Sequence, residues 1–367
     1  MKTILIAHNY TENSFAYMSY YLARSIASEG NKVVFISYRP FFNKAFDENV
    51  EKGKLIVHSW PTENRPVKFR DAIWFAKLYL KYKPSVIISH FVSVNITIIL
   101  SKILSLGKVK TFPYYHTLSS QIQQDVSSSF FKKVIKKIRK QLVYKWFANA
   151  IICPSDLAKE DLKIHFKNSK GIKIVNPIRD RFKEKEDLNP DFIEISYLGR
   201  LEPSKGVIDL VNAFLKYKMG HQGSRIILNI AGSGSQYNEI QELSRDHTDI
   251  IFFGALPYNE IDAYLNKSHY AIIPSKFDNL PTVGLEAMMN GTPVLISDNT
   301  GLSLELTDGV ECFKFNPTIE GMLILFDKIE KNIISHKIMS GNARKTFSEK
   351  FGVESYSNAM KKIIDSN

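Results

Sequence analysis

The sequence is poor in cysteine and has no long apolar run, and both absences narrow the class of protein. Its 367 residues include only two cysteines, Cys153 and Cys312, each within an apolar segment. We expect two buried free thiols in a reducing compartment rather than a disulfide or a metal site. The first segment, MKTILIAHNYTENS, has an apolar run that is too short for the core of a signal peptide. The segment VSVNITIILSKILSL is interrupted by Asn95, Ser101 and Lys102, so it lacks the ~20 apolar residues of a membrane-spanning helix. These features predict a cytoplasmic protein.

Acidic residues are scarce in one part of the chain. The formal net charge is +12. Between Asn64 and Ser155 there are 16 Lys and Arg residues against only two acids, Asp71 and Asp125, a net charge of +14. The rest of the chain is therefore slightly negative. A positive field confined to one region indicates an anionic partner for that region.

The first half alternates short buried-strand patterns with helical patterns. The strand-like runs are TILIAHN, KVVFIS, KLIVHSW, SVIISHF, VKTFPYYH and AIICPS, and their continuous apolar character is typical of parallel strands buried on both faces. FAYMSYYLARSIASEG between two of them reads as a helix that ends at Gly30. This alternation predicts an α/β domain with an open parallel sheet.

The pattern restarts after the charged stretch RDRFKEKEDLNP. EISYLGR, RIILNIAGSG, DIIFFGAL, HYAIIPS and PVLIS read as the strands of a second sheet. We predict an N-terminal domain over residues 1–180, a C-terminal domain over 181–345 and a final helical segment over 346–367 that could pack on either domain. Two doubly wound domains of this kind bind ligands at the C-terminal ends of their strands, here in a cleft between the two.

Two cations follow the first strand of the second domain. In YLGRLEPSKGVIDLVNAF, Arg200 and Lys205 lie on the loop between a strand and a helix. A guanidinium fork, an ammonium and free helix amides together suit a diphosphate, although either cation alone would more often be a solvated loop residue. Gly232 and Gly234 of AGSGS permit close approach of a phosphate or simply a tight turn.

Two carboxylates lie in PSKFDNLPTVGLEAMMNGTPVLIS, which otherwise is mostly apolar. Asp278 is expected on a strand-end loop, and Glu286 about one turn into a helix with Thr282 as its N-cap. A carboxylate in a buried helix is costly without a partner. Glu286 is therefore predicted to face the cleft and hold a ribose diol.

These motifs resemble those of the family-4 retaining glycosyltransferases. The resemblance rests on YLGRLEPSKG, AGSGS, FFGALP and PSKFDNLPTVGLEAMMNGTPVLIS, and in the first domain on YYHTL and AIICPSD. It implies the GT-B fold, with two Rossmann-like domains facing a central cleft, and a nucleotide-diphosphate sugar (UDP- or GDP-linked) as donor without a bound metal or other cofactor.

The resemblance also assigns roles to residues. Arg200 and Lys205 would bind the leaving pyrophosphate, Glu286 the ribose hydroxyls, and Asp278, the first acid of an E-x7-E motif, the transferred sugar. His116 would lie beside the reacting centre. The remaining substrate-binding positions are Gly232, Gly234, Ala255, Leu256, Asn279, Leu280, Pro281, Thr282 and Val283.

The sequence departs from the family pattern at two places. Asp278 replaces the commoner Glu, which shortens the side chain and should alter sugar contacts without abolishing function. The family's first loop carries paired glycines near the phosphates, whereas this chain has HNYTENSFAY, with Asn13 and Ser14 in that position.

The stretch SSSFFKKVIKKIRKQLVYKWF predicts a basic amphipathic helix. Its apolar stripe (Phe131, Val134, Ile135, Ile138, Leu142 and Trp146) is expected to pack on the sheet. Its cations would face outward, toward solvent or toward anionic lipid: Lys132, Lys133, Lys136, Lys137, Arg139 and Lys140. Nothing resembles a nucleic-acid-binding module.

The favoured hypothesis is a retaining glycosyltransferase that moves a hexosyl-type unit to a glycan or lipid-linked acceptor in cell-surface polysaccharide or glycoconjugate assembly. It would be peripheral on the inner face of the cytoplasmic membrane. The alternative is a non-catalytic basic protein that binds membrane or nucleic acid on a degenerate fold. A dehydrogenase is disfavoured because no G-x-G-x-x-G follows the first strand.

Overall fold

The chain forms two compact units. The computed structural model describes residues 1–8, 13–37, 45–62, 66–90, 94–125, 130–185, 187–332 and 336–366, without the side chains of 13–16, 130–133 and 366. The first unit contains Met1–His116, Ser128–Pro177 and Val353–Asn367, and the second contains Thr117–Ser127 and Ile178–Gly352. Thr117–Ser127 thus groups with the second unit, although it lies within the range 1–180 predicted for the N-terminal domain.

The first unit is built on a six-stranded sheet in the order β3-β4-β2-β1-β5-β6. Its strands are β1 (Thr3–Ala7), β2 (Lys32–Ser37), β3 (Phe46–Val50), β4 (Gly53–Ser59), β5 (Val86–Ser89) and β6 (Lys110–Pro113). All neighbours pair in parallel except β3, which lies antiparallel to β4. The polar sequence FDENV carries no strand pattern, so this edge strand was not predicted.

Helices cover both faces of this sheet because successive strand residues alternate between two cores. Ile4 and Ile6 share one core with α1 (Asn13–Ser28) and α13 (Val353–Ser366), while Leu5 and Ala7 share the other with α2 (Phe69–Tyr82). The third helix, α3 (Asn95–Leu104), packs against β5 and α2.

The remaining elements of the first unit lie beyond β6. They are α5 (Phe130–Phe147), β7 (Ile151–Cys153), α6 (Asp156–Phe166) and β8 (Gly171–Lys173). The strands β7 and β8 form a separate two-stranded parallel sheet. The Ser155 hydroxyl caps α6 by accepting a hydrogen bond from the Ala158 amide at 3.1 Å.

The second unit is a parallel six-stranded sheet in the order β11-β10-β9-β12-β13-β14. Its strands are β9 (Ile193–Arg200), β10 (Ile226–Ser233), β11 (Ile250–Gly254), β12 (Tyr270–Ile273), β13 (Val294–Ser297) and β14 (Cys312–Phe315). Its helices are α4 (Ser119–Asp125), α7 (Val207–Gly220), α8 (Tyr237–Ser244), α9 (Ile261–Asn266), α10 (Thr282–Met289), α11 (Ile319–Lys331) and α12 (His336–Lys350). The predicted restart of the pattern near residue 190 is the beginning of this sheet.

The last helix, α13, belongs to the first unit, one of the two placements that the sequence left open. It packs against α1, and its Tyr356 hydroxyl is hydrogen-bonded to the hydroxyl of Tyr114 in the core. Chain termini dock on a domain when they bury apolar side chains, and here Met360 and Ile364 do so.

The helix α5 is oriented opposite to the prediction. Its predicted packing stripe faces outward, with Ile135, Ile138, Leu142 and Trp146 exposed. Tyr144 and Val143 are buried instead.

Lys140 was predicted to face outward with the other cations of α5, but it lies on the inner side of the helix. Its ammonium lies 4.0 Å from the centre of the Tyr115 ring and 5.0 Å from that of Phe166, and burial lowers its pKa to about 7. An ammonium over aromatic faces is stabilised by the ring quadrupoles. Lys136, Lys137 and Arg139 are exposed as predicted, and the side chains of Lys132 and Lys133 lie outside the described residues.

Both cysteines are buried free thiols, as predicted. In the described part of the chain, no helix has the length and apolar character needed to cross a membrane.

Candidate functional site

Three loops meet at the C-terminal edge of the second sheet. The loop after β9 is bonded to the loop after β10, because the Gln236 amide donates to the Leu201 carbonyl at 3.0 Å. It is also bonded to the loop after β12, where the Lys276 amide donates to the Ser204 carbonyl at 2.8 Å. The central position of β9 makes this edge a place where open α/β sheets bind ligands.

The loop after β9 approaches β12 so closely that a glycine is required. Gly206 has φ +68°, and a Cβ at this position would lie 2.3 Å from the Pro274 carbonyl oxygen. Only glycine combines a left-handed backbone with such contact. The short 3-10 turn Pro203–Lys205 is therefore held against the end of β12.

Lys205 and Asp278, predicted on separate loops, form an ion pair. The Lys205 ammonium donates to the Asp278 carboxylate, and the two side chains are only 14% and 10% exposed. A shielded, charge-assisted pair of this kind holds both groups in fixed positions. The structure thus brings together the predicted phosphate-binding lysine and the predicted sugar-binding acid.

Asp125, which the sequence did not single out, binds the same loop. Its carboxylate accepts hydrogen bonds from the Ser204 amide at 3.1 Å and the Ser204 hydroxyl at 2.9 Å. It also accepts one from the Arg200 guanidinium at 3.3 Å. Backbone amides and a guanidinium that hold a carboxylate are donors of the kind that hold phosphate. The only signal in the sequence was that Asp125 is one of two acids in a basic region.

Glu286 is a buried member of a polar network whose other charged residues are partly exposed. It is 3% exposed on α10, and its carboxylate lies 4.0 Å from the Arg181 guanidinium. Arg181 in turn donates two hydrogen bonds to Asp262, at 2.8 and 2.9 Å. The Asn290 amide donates to the Glu286 carbonyl at 3.0 Å. Arg181 and Asp262 were not predicted, since they are distant from Glu286 in sequence.

The start of α10 differs from the prediction in one detail. Pro281 occupies the N-cap position without a side-chain cap, and Thr282 is the first helical residue. Proline fixes a φ near −65° and needs no amide partner, so it can end the loop here. In the first turn the Gly284 amide donates to the Pro281 carbonyl at 3.1 Å.

The other predicted binding residues occupy the same edge of the sheet. Asn279, Leu280 and Pro281 are buried, while Thr282 and Val283 are partly exposed. After β11, Ala255 is exposed and Leu256 is half-buried.

Gly232 and Gly234 have a packing reason for being glycine. A Cβ at Gly232 would lie 1.9 Å from the Gly199 carbonyl oxygen, and one at Gly234 would lie 2.4 Å from that of Leu201. Their contact with substrate stays a prediction. Asn13 and Ser14 begin α1, and their side chains lie outside the described residues.

In the first unit, His116 lies in a stack of rings just beyond β6. Its ring is parallel to that of Tyr114 at 5.0 Å between centres, and its Nε2 lies 3.3 Å from Nδ1 of the buried His90. Burial and the nearby Lys140 lower the pKa of His116 to about 3. The imidazole is therefore neutral at physiological pH.

This lowered pKa makes stability depend on pH. Between the ordinary pKa of 6.5 and about 3, the unfolded chain binds a proton that folded His116 does not. The free energy of unfolding should therefore fall as pH drops below about 6, by up to about 1.4 kcal/mol per pH unit for such a histidine. Urea unfolding at pH 7 and pH 5 should show a smaller loss for His116→Gln than for the wild type. Equal losses would contradict the assignment.

Comparisons with known proteins identify the family and the fold. A family model described as Glycosyltransferase Family 4 matches residues 16–180, and one described as Glycosyl transferases group 1 matches residues 178–346. Glycogen synthase of Mycobacterium tuberculosis is 34% identical over 119 residues, which are 32% of this chain and 28% of that protein. The chain thus aligns with only about a quarter to a third of that relative.

The fold is that of known GT-B structures. Sucrose-phosphate synthase from Thermosynechococcus elongatus superposes with a TM-score of 0.78 at 17% identity, over 100% of this chain and 99% of that one. Anabaena HepE in complex with UDP-glucose superposes with a TM-score of 0.75 at 13% identity, over 100% of both chains. Since the two family models together span residues 16–346, the chain belongs to the family-4 glycosyltransferases and has the GT-B fold.

Proposed function

We propose that this glycosyltransferase moves a hexosyl unit from a UDP- or GDP-linked sugar to a glycan or lipid-linked acceptor, with retention of configuration. A glycan or lipid-linked acceptor would place the reaction in the assembly of cell-surface polysaccharide or glycoconjugate. The observation that carries the proposal is the meeting of Arg200, Lys205 and Asp278 on loops that are hydrogen-bonded to one another. Cations and a carboxylate at one sheet edge suit a diphosphate joined to a sugar.

The chemical task of the site is to stabilise a leaving group. When the bond from the anomeric carbon to the diphosphate breaks, negative charge grows on the phosphate oxygens. Arg200, Lys205 and the positive N-terminal end of α10 would stabilise that charge as it develops. Fixed cations can perform this task in place of a metal ion, so we propose transfer without Mg²⁺.

The remaining polar residues would hold the two ends of the donor. Glu286 would accept hydrogen bonds from ribose hydroxyls, with Arg181 and Asp262 fixing its surroundings. Asp278, held by Lys205, would contact hydroxyls of the transferred sugar. For His116, we propose contact with that sugar through a neutral imidazole.

The donor class is supported by HepE, whose structure contains UDP-glucose. The test is a thermal-shift titration with UDP, GDP and their glucose conjugates, since a ligand of the native state raises the Tm by mass action. Transfer from the best-binding sugar is then measured with and without EDTA. We expect one nucleoside diphosphate to raise the Tm and EDTA to leave transfer unchanged. Absence of any shift would overturn the proposal.

Asp125→Asn should strengthen binding of the nucleoside diphosphate. The carboxylate occupies donors of Arg200 and Ser204 that the diphosphate would use, so the ligand has to compete with it. We expect calorimetry to give a Kd for UDP or GDP about tenfold lower than in the wild type. The matched control is Asp209→Asn, which removes a carboxylate of the same unit that is paired with Lys276. Weaker binding by Asp125→Asn would instead indicate that Asp125 positions Arg200 for the ligand.

We further propose that the enzyme is cytoplasmic and works at the inner face of the cytoplasmic membrane. Exposed Lys136, Lys137 and Arg139 on α5 would be attracted to anionic headgroups by about 1 kcal/mol each. Co-sedimentation with anionic vesicles should weaken when Lys136 and Lys137 are both changed to Glu.

A further inference from the structure

The outward face of α5 carries a set of exposed apolar side chains. Ile135, Ile138, Leu142 and Trp146, called the outward ridge below, are 43%, 49%, 48% and 68% exposed. At about 100° per residue these four positions fall within about 80° of the helix circumference. They form one continuous stripe.

The opposite side of α5 explains why this stripe is outside. Tyr144 is 1% exposed and packs edge-on against Tyr115 and Phe166. Lys140 completes that inner surface by lying over the same rings. The inner face is thus fixed by aromatic contacts, and the helix cannot turn its aliphatic stripe inward without breaking them.

Charge decides which partner suits the ridge. The helix has no acidic residue, and exposed Arg139 and Lys145 lie on either side of the ridge. A second copy of this chain would bring an equally basic helix against it, since a two-fold interface pairs a surface with itself. Lysine is also depleted in protein interfaces. An anionic bilayer offers negative headgroups to the cations and acyl chains to the ridge.

We infer that the outward ridge inserts into an anionic phospholipid bilayer, with α5 lying in the plane of the headgroups. The combination of an apolar stripe, flanking cations and a terminal tryptophan is that of an interfacial helix. This inference deepens the proposed membrane location and rests on it. It adds that attachment is held by apolar insertion as well as by charge.

The first measurement uses the fluorescence of Trp146. The chain has three tryptophans, of which Trp60 is buried and Trp74 is half-buried. Vesicles of equal parts phosphatidylglycerol and phosphatidylcholine should shift the emission to the blue, and brominated acyl chains should quench it. Trp146→Phe should remove both effects. An unshifted, unquenched emission in the presence of bound vesicles would overturn insertion.

The second measurement separates insertion from electrostatic attraction. Ile138→Ser with Leu142→Ser keeps every cation and should weaken vesicle partition by about tenfold. The control Ile324→Ser, at a 71% exposed position on α11 of the second unit, should leave partition unchanged. Because salt screens charges but not apolar burial, the wild type should retain more binding at high salt than the Ser double variant. Equal partition of the wild type and the double variant would overturn the inference.

Nucleotide binding and oligomeric state supply two further readouts. Calorimetry in solution should give the same Kd for UDP or GDP in the wild type and in the Ser double variant. If the wild type bound neither nucleotide, that result would count against the proposed function and not against insertion of the ridge. Light scattering should give the same oligomeric state for the wild type and for the Ser double variant. The contrary result is a dimer that forms in the wild type and is lost in the double variant. Such a dimer would assign the ridge to a second copy of the chain and overturn bilayer insertion.

Discussion

Lys205→Ala is expected to lower kcat/KM for sugar transfer by about 100- to 1,000-fold. The ammonium is the shielded cation of the site, and it is fixed by Asp278 rather than by solvent. A cation already in place stabilises phosphate charge without reorganising during the reaction. Its loss also leaves the Asp278 carboxylate without this counter-ion next to the incoming diphosphate, which adds repulsion. The measurement is initial rates across donor concentrations.

Controls separate this effect from loss of folding. Removing one partner of a shielded pair destabilises by about 3 kcal/mol, so the Tm of Lys205→Ala should fall. Adding Asp278→Asn should restore much of the Tm without restoring transfer. Lys276→Ala removes a lysine from the neighbouring loop whose partner is Asp209, and it should retain most activity. Near-normal turnover by Lys205→Ala would contradict the site assignment.

The sequence could predict that side chains at strand ends would lie near one another. Arg200 and Lys205 lie at the end of β9 and Asp278 lies far away in the chain, after β12, but both strands belong to one parallel sheet. The carboxyl ends of such strands share an edge, so the alternating pattern was enough to bring them together. The fold class followed from the same alternation.

The sequence failed where contacts depend on long-range packing. Asp125 lies in a segment that leaves the first unit and contacts the loop after β9, and no periodicity encodes such a crossing. Arg181 lies in the charged stretch near the start of the second unit, where the sequence has no strand or helix pattern. Its place beside Asp262 and Glu286 depends on how that stretch folds back on α9 and α10.

The predicted orientation of α5 was wrong for a different physical reason. Hydrophobic periodicity assumes that the apolar stripe is the buried one. On this helix the buried side is formed by Tyr144 and Lys140. The Lys140 ammonium lies over the rings of Tyr115 and Phe166, where the ring quadrupoles stabilise it. The aliphatic stripe is left outside. The sequence therefore predicted the helix and its stripe correctly, but it assigned the stripe to the buried side instead of the exposed side.

Glu286→Gln is expected to remove most transfer while leaving the fold intact. Gln has nearly the same shape as Glu and can remain in the buried space on α10, but it lacks the charge that strengthens hydrogen bonds from the ribose hydroxyls. We expect kcat/KM to fall by about 10- to 100-fold, mainly through a higher KM for the donor, because a hydrogen bond to a charged group contributes about 1.5–3 kcal/mol. Arg181 should stay in place because its two hydrogen bonds to Asp262 are retained, so the Tm should change little. Glu311→Gln is the matched control: Glu311 is 3% exposed in the same unit and accepts a hydrogen bond from the Thr307 amide at 2.9 Å. If both variants lost transfer equally, the loss would reflect a buried carboxylate in general, and Glu286 would have no special role toward the ribose.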